Sequence, residues 1–123
     1  MKIKESAENY LEAIYMLKKK NGQVRSIDVA THLQFSKPSI SYAMKRFRED
    51  GYITMDKGGL ISLTEKGTEV AERVYERHSL LSKYLISLGV SEETAIEDAC
   101  RMEHVISEET FEKMKASAAM RNL

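Results

Sequence analysis

The chain has 123 residues, a length that suits one globular domain or two very small ones and excludes a second large domain. Its 19 Lys and Arg residues balance 19 Asp and Glu residues, so the net charge of the whole chain indicates no particular partner. The single cysteine excludes an internal disulfide framework, and no apolar run approaches the roughly 20 residues that cross a bilayer. With no signal-peptide pattern at its N-terminus, the chain is expected to be cytoplasmic.

The charge is unevenly divided along the chain. Residues 1–66 carry 12 Lys and Arg against 8 Asp and Glu, whereas residues 67–123 carry 7 against 11. A nucleic-acid-binding half joined to a cation-binding or regulatory half would have this asymmetry, and a chance division of solvated charges would have it equally often. The asymmetry is a first indication of two domains.

The basic half begins with three helical patterns. Residues 6–20 carry apolar side chains at helical spacing and predict an amphipathic helix. Ser26 is expected to cap a short helix over residues 27–33. Ser36 is expected to cap a third helix, over residues 37–50. Only a few residues separate the second helix from the third.

A β-hairpin follows these helices. Two short β-branched runs, residues 52–55 and 60–63, flank a glycine-containing loop at residues 56–59. Helix, short helix, tight turn, helix and hairpin are the order of a winged helix-turn-helix, whose second paired helix enters the DNA major groove. We therefore predict a mainly α fold with an N-terminal winged helix-turn-helix DNA-binding domain over residues 1–66.

The helix after Ser36 is the predicted recognition helix. Ile40, Met44 and Phe47 fall on its buried stripe, so its other face is polar and basic. An ordinary solvated helix face would have a similar composition, but the hairpin and the positive charge of this half favour DNA binding. Lys57, at the hairpin tip, is a candidate phosphate contact. The candidate DNA-binding residues are Ser36, Lys37, Pro38, Ser39, Ser41, Tyr42, Lys45 and Lys57.

The acidic half has the pattern of three more helices. A long helix is expected from Thr64 to about Leu88, where a glycine follows. A second helix opens at Ser91 and is expected to continue past His104. The last helix begins after Ser107. The acidic half is therefore predicted to be entirely helical.

The second of these helices carries three kinds of metal ligand at helical spacing. Cys100, Glu103 and His104 lie at i, i+3 and i+4, which places a sulfur, a carboxylate and an imidazole on one helix face. Three donors on one rigid helix are oriented before a divalent ion binds. The plainer alternative is a buried cysteine beside a solvated Glu-His pair. Further candidate ligands on the other helices are Asn9, Glu12 and His78.

Five segments carry a resemblance to one protein family. They are SAENYLEAIYML at the start, SKPSISYAMKRFREDGYI, LTEKG, the RH pair at 77 and 78, and EDACRMEHVIS. Together they cover nearly the whole chain and resemble the diphtheria-toxin-repressor family, which includes the manganese transport regulators. In that family a winged helix-turn-helix precedes a helical dimerisation domain, and Mn(II) or Fe(II) binding between the two sets the dimer geometry for operator binding. The resemblance implies a metal-dependent repressor that acts as a homodimer on a palindromic operator and is not an enzyme.

The resemblance also implies which residues bind the metal. It assigns residues 67–123 to the metal-binding and dimerisation domain, without the SH3-like third domain of longer members. Carried over residue by residue, the metal ligands it implies are Asn9, Glu12, His78, Cys100, Glu103 and His104.

Some of these positions bear on the identity of the metal. Manganese-sensing members carry glutamate at the position of Cys100 and aspartate at that of Asn9, whereas iron-sensing members carry cysteine and methionine there. Glu12 resembles the manganese branch. Ser82 and Ile96 replace a glutamate and a histidine of the ancillary site of the iron branch, so that second site is not expected. Because a thiolate is a softer ligand than a carboxylate, it favours Fe(II), Co(II) or Zn(II) over Mn(II), and of these we expect Fe(II).

Two other functions fit parts of the sequence. A winged-helix redox sensor that uses Cys100 would need a resolving thiol from another subunit, since the chain has no second cysteine. A metal-dependent hydrolase would need an open metal position in a substrate cleft, for which a short chain with a DNA-binding half has little room. Metal content and DNA mobility shift on one sample, with and without chelator, distinguish these functions.

Overall fold

The computed structural model describes residues 5–123, and their side chains from residue 7 onward. This part of the chain forms two compact units, the first ending at Glu72 and the second being Arg73–Leu123. The helices and strands are α1 (Glu5–Asn21), α2 (Ser26–Leu33), α3 (Lys37–Glu49), β1 (Ile53–Met55), β2 (Ile61–Leu63), α4 (Glu65–Ser87), α5 (Glu92–Met102) and α6 (Glu108–Met120). The predicted mainly α fold with a two-stranded wing is confirmed. Within residues 5–123, none of the helices combines the length and the apolar character that a membrane crossing requires.

The first unit is organised around one apolar core. Leu11 and Ile14 of α1 are fully buried, as the helical spacing of its apolar residues requires. Each such aliphatic side chain contributes about 1.5–3 kcal/mol of transfer free energy. Tyr10 joins α1 to α3 by an edge-on contact with Phe47, with ring centroids 5.6 Å apart. The other core residues are Ala13, Leu17, Val24, Val29, Ala30, Ile40, Met44, Tyr52, Ile53, Ile61 and Ala71.

The wing is a hairpin that is tied to the start of α2. Strands β1 and β2 are antiparallel, with Ile53 opposite Leu63. The N–H of Ile61 also donates to the carbonyl of Val24 (2.8 Å), so the chain before α2 adds one hydrogen bond to the hairpin. The Arg25 guanidinium donates to the carbonyl of Gly58 in the hairpin turn. The wing is thus held by main-chain and side-chain hydrogen bonds to the helix-turn-helix.

The start of α2 differs by one residue from the prediction. Ser26 was expected to cap the helix, but Ser26 is its first residue and Arg25 is the N-cap. The reason is local: the Asp28 carboxylate accepts a hydrogen bond from the Arg25 N–H (2.9 Å), so a side chain inside the first turn satisfies the cap backbone. The helix-turn-helix is otherwise as predicted.

Serine caps and one glycine define the helices of the second unit. Ser91 accepts from the N–H of Thr94 at the start of α5, and Ser107 accepts from the N–H of Thr110 at the start of α6. Gly89 follows α4 with φ of +100°, a left-handed conformation that glycine adopts without strain. The predicted end of α4 before Gly89 and the predicted starts of α5 and α6 after Ser91 and Ser107 are confirmed.

The end of α5 was predicted wrongly. The helix was expected to continue past His104, but it ends at Met102, and residues 103–106 form turns before α6. No glycine or proline marks this end, so the local sequence gave no signal for it. The turn that follows is held by a tertiary contact from α4, in which Arg77 donates to the carbonyls of Glu103 and Ile106.

Half of the apolar residues expected on a dimer surface are buried inside the chain. From the sequence we expected that surface to consist of Ala95, Ala99, Met102, Val105, Ile106 and Phe111. Of this set, Ala95, Ala99 and Phe111 are buried within the single chain, and Met102 and Ile106 are half-buried. Val105 is the member of that set that stays well exposed, at 75%. The exposed large apolar side chains in the second unit are Ile86, Leu88, Ile96, Val105, Met120 and Leu123.

Candidate functional site

The start of α3 is built by its cap and its apolar stripe. Ser36 accepts from the N–H of Ser39 (3.4 Å), and Pro38 lies in the first turn, where its missing N–H has no helical partner to lose. Ile40, Met44 and Phe47 are buried, as predicted, and fix which face of α3 turns outward. The outward face is the candidate DNA interface of the first unit.

All eight predicted DNA-binding residues are exposed. Tyr42 is 65% exposed in the middle of α3, with its hydroxyl 3.5 Å from a guanidinium nitrogen of Arg46. Lys57 lies in the hairpin turn, which the Asp56 carboxylate closes by accepting from the N–H of Leu60 (2.9 Å). Exposed hydroxyl and ammonium groups on a recognition helix and wing suit contacts with phosphates and base edges.

Two basic residues on α3 were missed by the sequence analysis. Arg46 and Arg48 are exposed in its last turn and extend the positive surface of Lys45. The signal for them was present in the sequence, because both lie off the buried stripe of Ile40 and Phe47. Arginine binds phosphate through two parallel hydrogen bonds, so both residues fit the same interface.

The first unit also holds two of the predicted metal ligands. Asn9 and Glu12 lie three residues apart on α1 and therefore share one face of the helix. Glu12 is only 8% exposed, which is unusual for a glutamate. Glu8, one turn earlier, is equally buried and was not singled out from the sequence. Burial of two carboxylates marks this face of α1 as more than a solvated surface.

The second unit brings three predicted ligands together around one carboxylate. The side chain of Glu103 is fully buried, with Oε2 3.0 Å from Nδ1 of His78 on α4. Its other oxygen, Oε1, lies 3.3 Å from Nε2 of His104, whose side chain is 1% exposed. A buried carboxylate is stable only when hydrogen bonds or positive charge compensate its lost hydration. Two imidazole nitrogens and one carboxylate in contact are a donor set that suits a divalent transition metal.

The fourth candidate ligand of this unit, Cys100, differs from Glu103 and His104 in its exposure and in its place on α5. Cys100 is exposed in the last turn of α5, whereas Glu103 is the C-cap and His104 follows it in the turn. The spacing predicted that the three residues lie on one regular helix. That prediction is wrong, because α5 ends at Met102. The Glu103–His104 pair is instead oriented by the turn that ends α5.

Arg77 is a residue of this region to which the sequence analysis gave no role. Its side chain is 11% exposed and donates to the main chain of the turn after α5. The signal for it was its position on α4, because Arg77 falls between buried Val74 and Leu81 on the apolar stripe. A charged residue at an apolar position indicates a specific partner inside the protein.

Comparison with known proteins gives the same domain order. The family described as "Iron dependent repressor, N-terminal DNA binding domain" matches residues 2–59, and "Iron dependent repressor, metal binding and dimerisation domain" matches residues 64–119. An uncharacterised HTH-type transcriptional regulator of Methanocaldococcus jannaschii is 34% identical over 113 residues, which is 90% of each chain. The transcriptional regulator MntR of Escherichia coli O157:H7 is 36% identical over 112 residues, 91% of this chain and 72% of the relative.

The solved structures agree with the fold. The metal-dependent transcriptional regulator MtsR superposes with a TM-score of 0.84 at 25% identity, over 92% of this chain. That match covers 53% of MtsR, so the chain spans about half the length of this structure.

A winged helix-turn-helix followed by a helical metal-binding and dimerisation domain defines a metal-dependent DNA-binding transcriptional repressor. The chain belongs to the iron-dependent repressor family. The predicted function class, with Fe(II) or Mn(II) as the cofactor, is confirmed at the level of the family. The matches give no support to the alternative in which Cys100 is the reactive group of a redox sensor.

Proposed function

We propose that the chain is an Fe(II)-activated repressor in which the buried carboxylate of Glu103 is the centre of the metal site. The observation that carries this proposal is the contact of that carboxylate with both His78 (3.0 Å) and His104 (3.3 Å). When bound, a divalent ion supplies positive charge that compensates the buried carboxylate. Cys100 is proposed as a further ligand of this unit. Asn9 and Glu12 are proposed as ligands because of the family resemblance and, for Glu12, because of its burial.

The DNA-binding role is assigned to residues 1–66, and metal binding and dimerisation to residues 67–123. The exposed residues of α3 would contact the major groove and Lys57 the backbone, as in other winged helices. A module of this size contacts few bases, so specificity requires two copies on a palindromic operator. We propose that the protein is regulatory rather than catalytic and that it acts in the cytoplasm, as its match to transcriptional regulators supports.

The direct test is whether operator binding depends on the metal. An operator is first selected from random duplexes in the presence of Mn(II), and its affinity is then measured anaerobically by fluorescence anisotropy with Fe(II), with Mn(II), with Ca(II) and with EDTA. We expect about 100-fold tighter binding with Fe(II) or Mn(II) than with EDTA. This factor corresponds to a coupling free energy of about 2.7 kcal/mol between metal binding and DNA binding, which is within the usual range for allosteric proteins. Ca(II), which prefers all-oxygen sites, should not activate. Equal affinity in EDTA and in Fe(II) would refute the proposal.

The choice of Fe(II) over Mn(II) is tested at Cys100. Exchange of this thiol for a carboxylate in Cys100→Glu replaces a soft donor with a hard one while His78, Glu103 and His104 remain. We expect the ratio of half-activating Mn(II) to Fe(II) concentrations to fall by about tenfold, an energy difference of about 1.4 kcal/mol. Cys100→Ser, which removes the soft donor without adding a charge, serves as the matched variant. An unchanged ratio in Cys100→Glu would remove this residue from the ligand set.

A further inference from the structure

The two terminal nitrogens of the Arg77 guanidinium bind several partners at once. Its Nη1 donates to the carbonyl oxygens of Glu103 (3.2 Å) and Ile106 (3.1 Å), and its Nη2 donates to the Glu108 carboxylate (2.9 Å). Its guanidinium also lies 5.3 Å from the ring centroid of Phe111. These partners belong to the turn after α5 and to α6. One guanidinium therefore connects two consecutive segments to α4.

The two carbonyls that Arg77 binds lie where the chain has left the helix. At a helix end the last carbonyl groups lack a partner within the helix. Here α5 stops at Met102, and the N–H groups of Val105 and Ile106 both return to the carbonyl of Met102. The carbonyls of Glu103 and Ile106 are left to Arg77, which supplies the donors that water would otherwise provide. Arg77 thus binds the turn at residues 103–106 at both of its ends.

The same turn carries the candidate metal ligands. Arg77 binds the main-chain oxygen of Glu103, while its neighbour on α4, His78, contacts the side-chain oxygen of Glu103. Glu103 is therefore held at both ends by successive residues of one helix. We propose that Arg77 is a positioning residue of the metal site: it holds the Glu103–His104 turn in the conformation that binds the ion, without being a ligand. This inference rests on the proposed function of His78, Glu103 and His104.

Arginine is specifically suited to this position. Its guanidinium is planar and presents five N–H donors in fixed directions, so it can bind two carbonyls and a carboxylate at once. Lysine has the same charge, but its ammonium group is compact and cannot reach partners on both sides of the turn in this way. Arg77→Lys therefore keeps the positive charge but loses the simultaneous hydrogen bonds to the turn and to Glu108. This substitution tests those hydrogen bonds separately from the charge.

The experiment compares the parent protein with Arg77→Lys and with Arg101→Lys. Arg101 is exposed on α5, so the same chemical change there is the matched control. Mn(II) affinity is measured by calorimetry, unfolding of the metal-free protein by urea, and amide hydrogen exchange of residues 103–106 without and with Mn(II). For Arg77→Lys we expect Mn(II) affinity to fall by about 10- to 100-fold. Amide exchange in the turn should be faster without metal and return towards the parent rate with saturating Mn(II).

A purely structural role for Arg77 predicts a different outcome. The urea midpoint of Arg77→Lys would then fall while the folded protein bound Mn(II) as tightly as the parent, and that result would overturn the inference. If Arg77→Lys does not fold without metal, the inference is tested with Glu108→Gln, which weakens one contact of Arg77. The Glu108 side chain is 67% exposed, so this substitution does not disturb the core. Mn(II) affinity about two- to fivefold weaker in Glu108→Gln supports the inference, and unchanged affinity overturns it.

Failure of the proposed function would be recognised separately. If the parent protein binds neither Mn(II) nor, under anaerobic conditions, Fe(II), the metal site itself is refuted. The hydrogen-exchange measurement on the metal-free proteins then still decides whether Arg77 holds residues 103–106: an exchange rate in Arg77→Lys equal to that of the parent overturns the inference.

Discussion

Replacing Glu103 with glutamine is expected to weaken binding of Mn(II) and Fe(II) by about 100-fold. Glutamine has the size of glutamate, so the buried position stays filled, but its amide is neutral and a poor ligand for a divalent ion. The carboxylate contacts His78 and His104, and we propose that all three side chains bind the ion. Calorimetric titration with Mn(II), and anaerobic titration with Fe(II), measure the change.

The matched control for this variant is Glu97→Gln. Glu97 is exposed on α5, the helix that ends just before Glu103, so the same loss of charge there should leave metal affinity within about twofold of the parent. Circular dichroism of both variants without metal checks that the helices are retained. Metal affinity in Glu103→Gln equal to that in Glu97→Gln would mean that the buried carboxylate is not a ligand.

Gly67→Ala is expected to have the largest effect on stability, about 3 kcal/mol of the free energy of unfolding. A Cβ at Gly67 would lie 2.0 Å from the carbonyl oxygen of Tyr52, which is main chain and cannot rotate away. That oxygen already accepts from the N–H of Thr64 (3.0 Å), so moving it would break the junction between the wing and α4. Urea unfolding with EDTA present, followed by circular dichroism, measures the loss.

Gly58→Ala is the control for this prediction. A Cβ at Gly58 would find its nearest atom, a carboxylate oxygen of Asp56, at 3.5 Å, which is ordinary van der Waals contact. We expect a change within about 0.5 kcal/mol for this variant. Equal urea midpoints for the two alanine variants would contradict the close approach of Gly67 to Tyr52.

The elements of the fold were predictable because their signals are local. The stripe of Ile40, Met44 and Phe47 repeats at helical spacing, and Ser91 and Ser107 cap the helices that follow them. Caps and periodicity depend on residues within one or two turns, so a single sequence contains them. The order of helices and hairpin then follows from the chain itself.

The features that were missed depend on residues far apart in sequence. The turn that ends α5 after Met102 is bonded to Arg77, 26 residues before Glu103. The burial of Ala95 and Ala99, which were expected on a dimer surface, likewise depends on tertiary packing rather than on the pattern of α5 alone. Spacing predicted that Glu103 and His104 lie together, but not that a turn rather than a helix orients them.

The hydrogen bonds between the wing and the residues before α2 have a consequence for how DNA binding is controlled. Because Ile61 is bonded to Val24, and Gly58 to Arg25, the hairpin is ordered as part of the same core as the recognition helix. Ordering a mobile hairpin on DNA would oppose binding by its lost conformational entropy, and this winged helix avoids most of that loss. Activation would then leave the fold of each winged helix-turn-helix unchanged. The metal would control whether the two DNA-binding domains of a dimer contact the operator together, and not whether either domain folds.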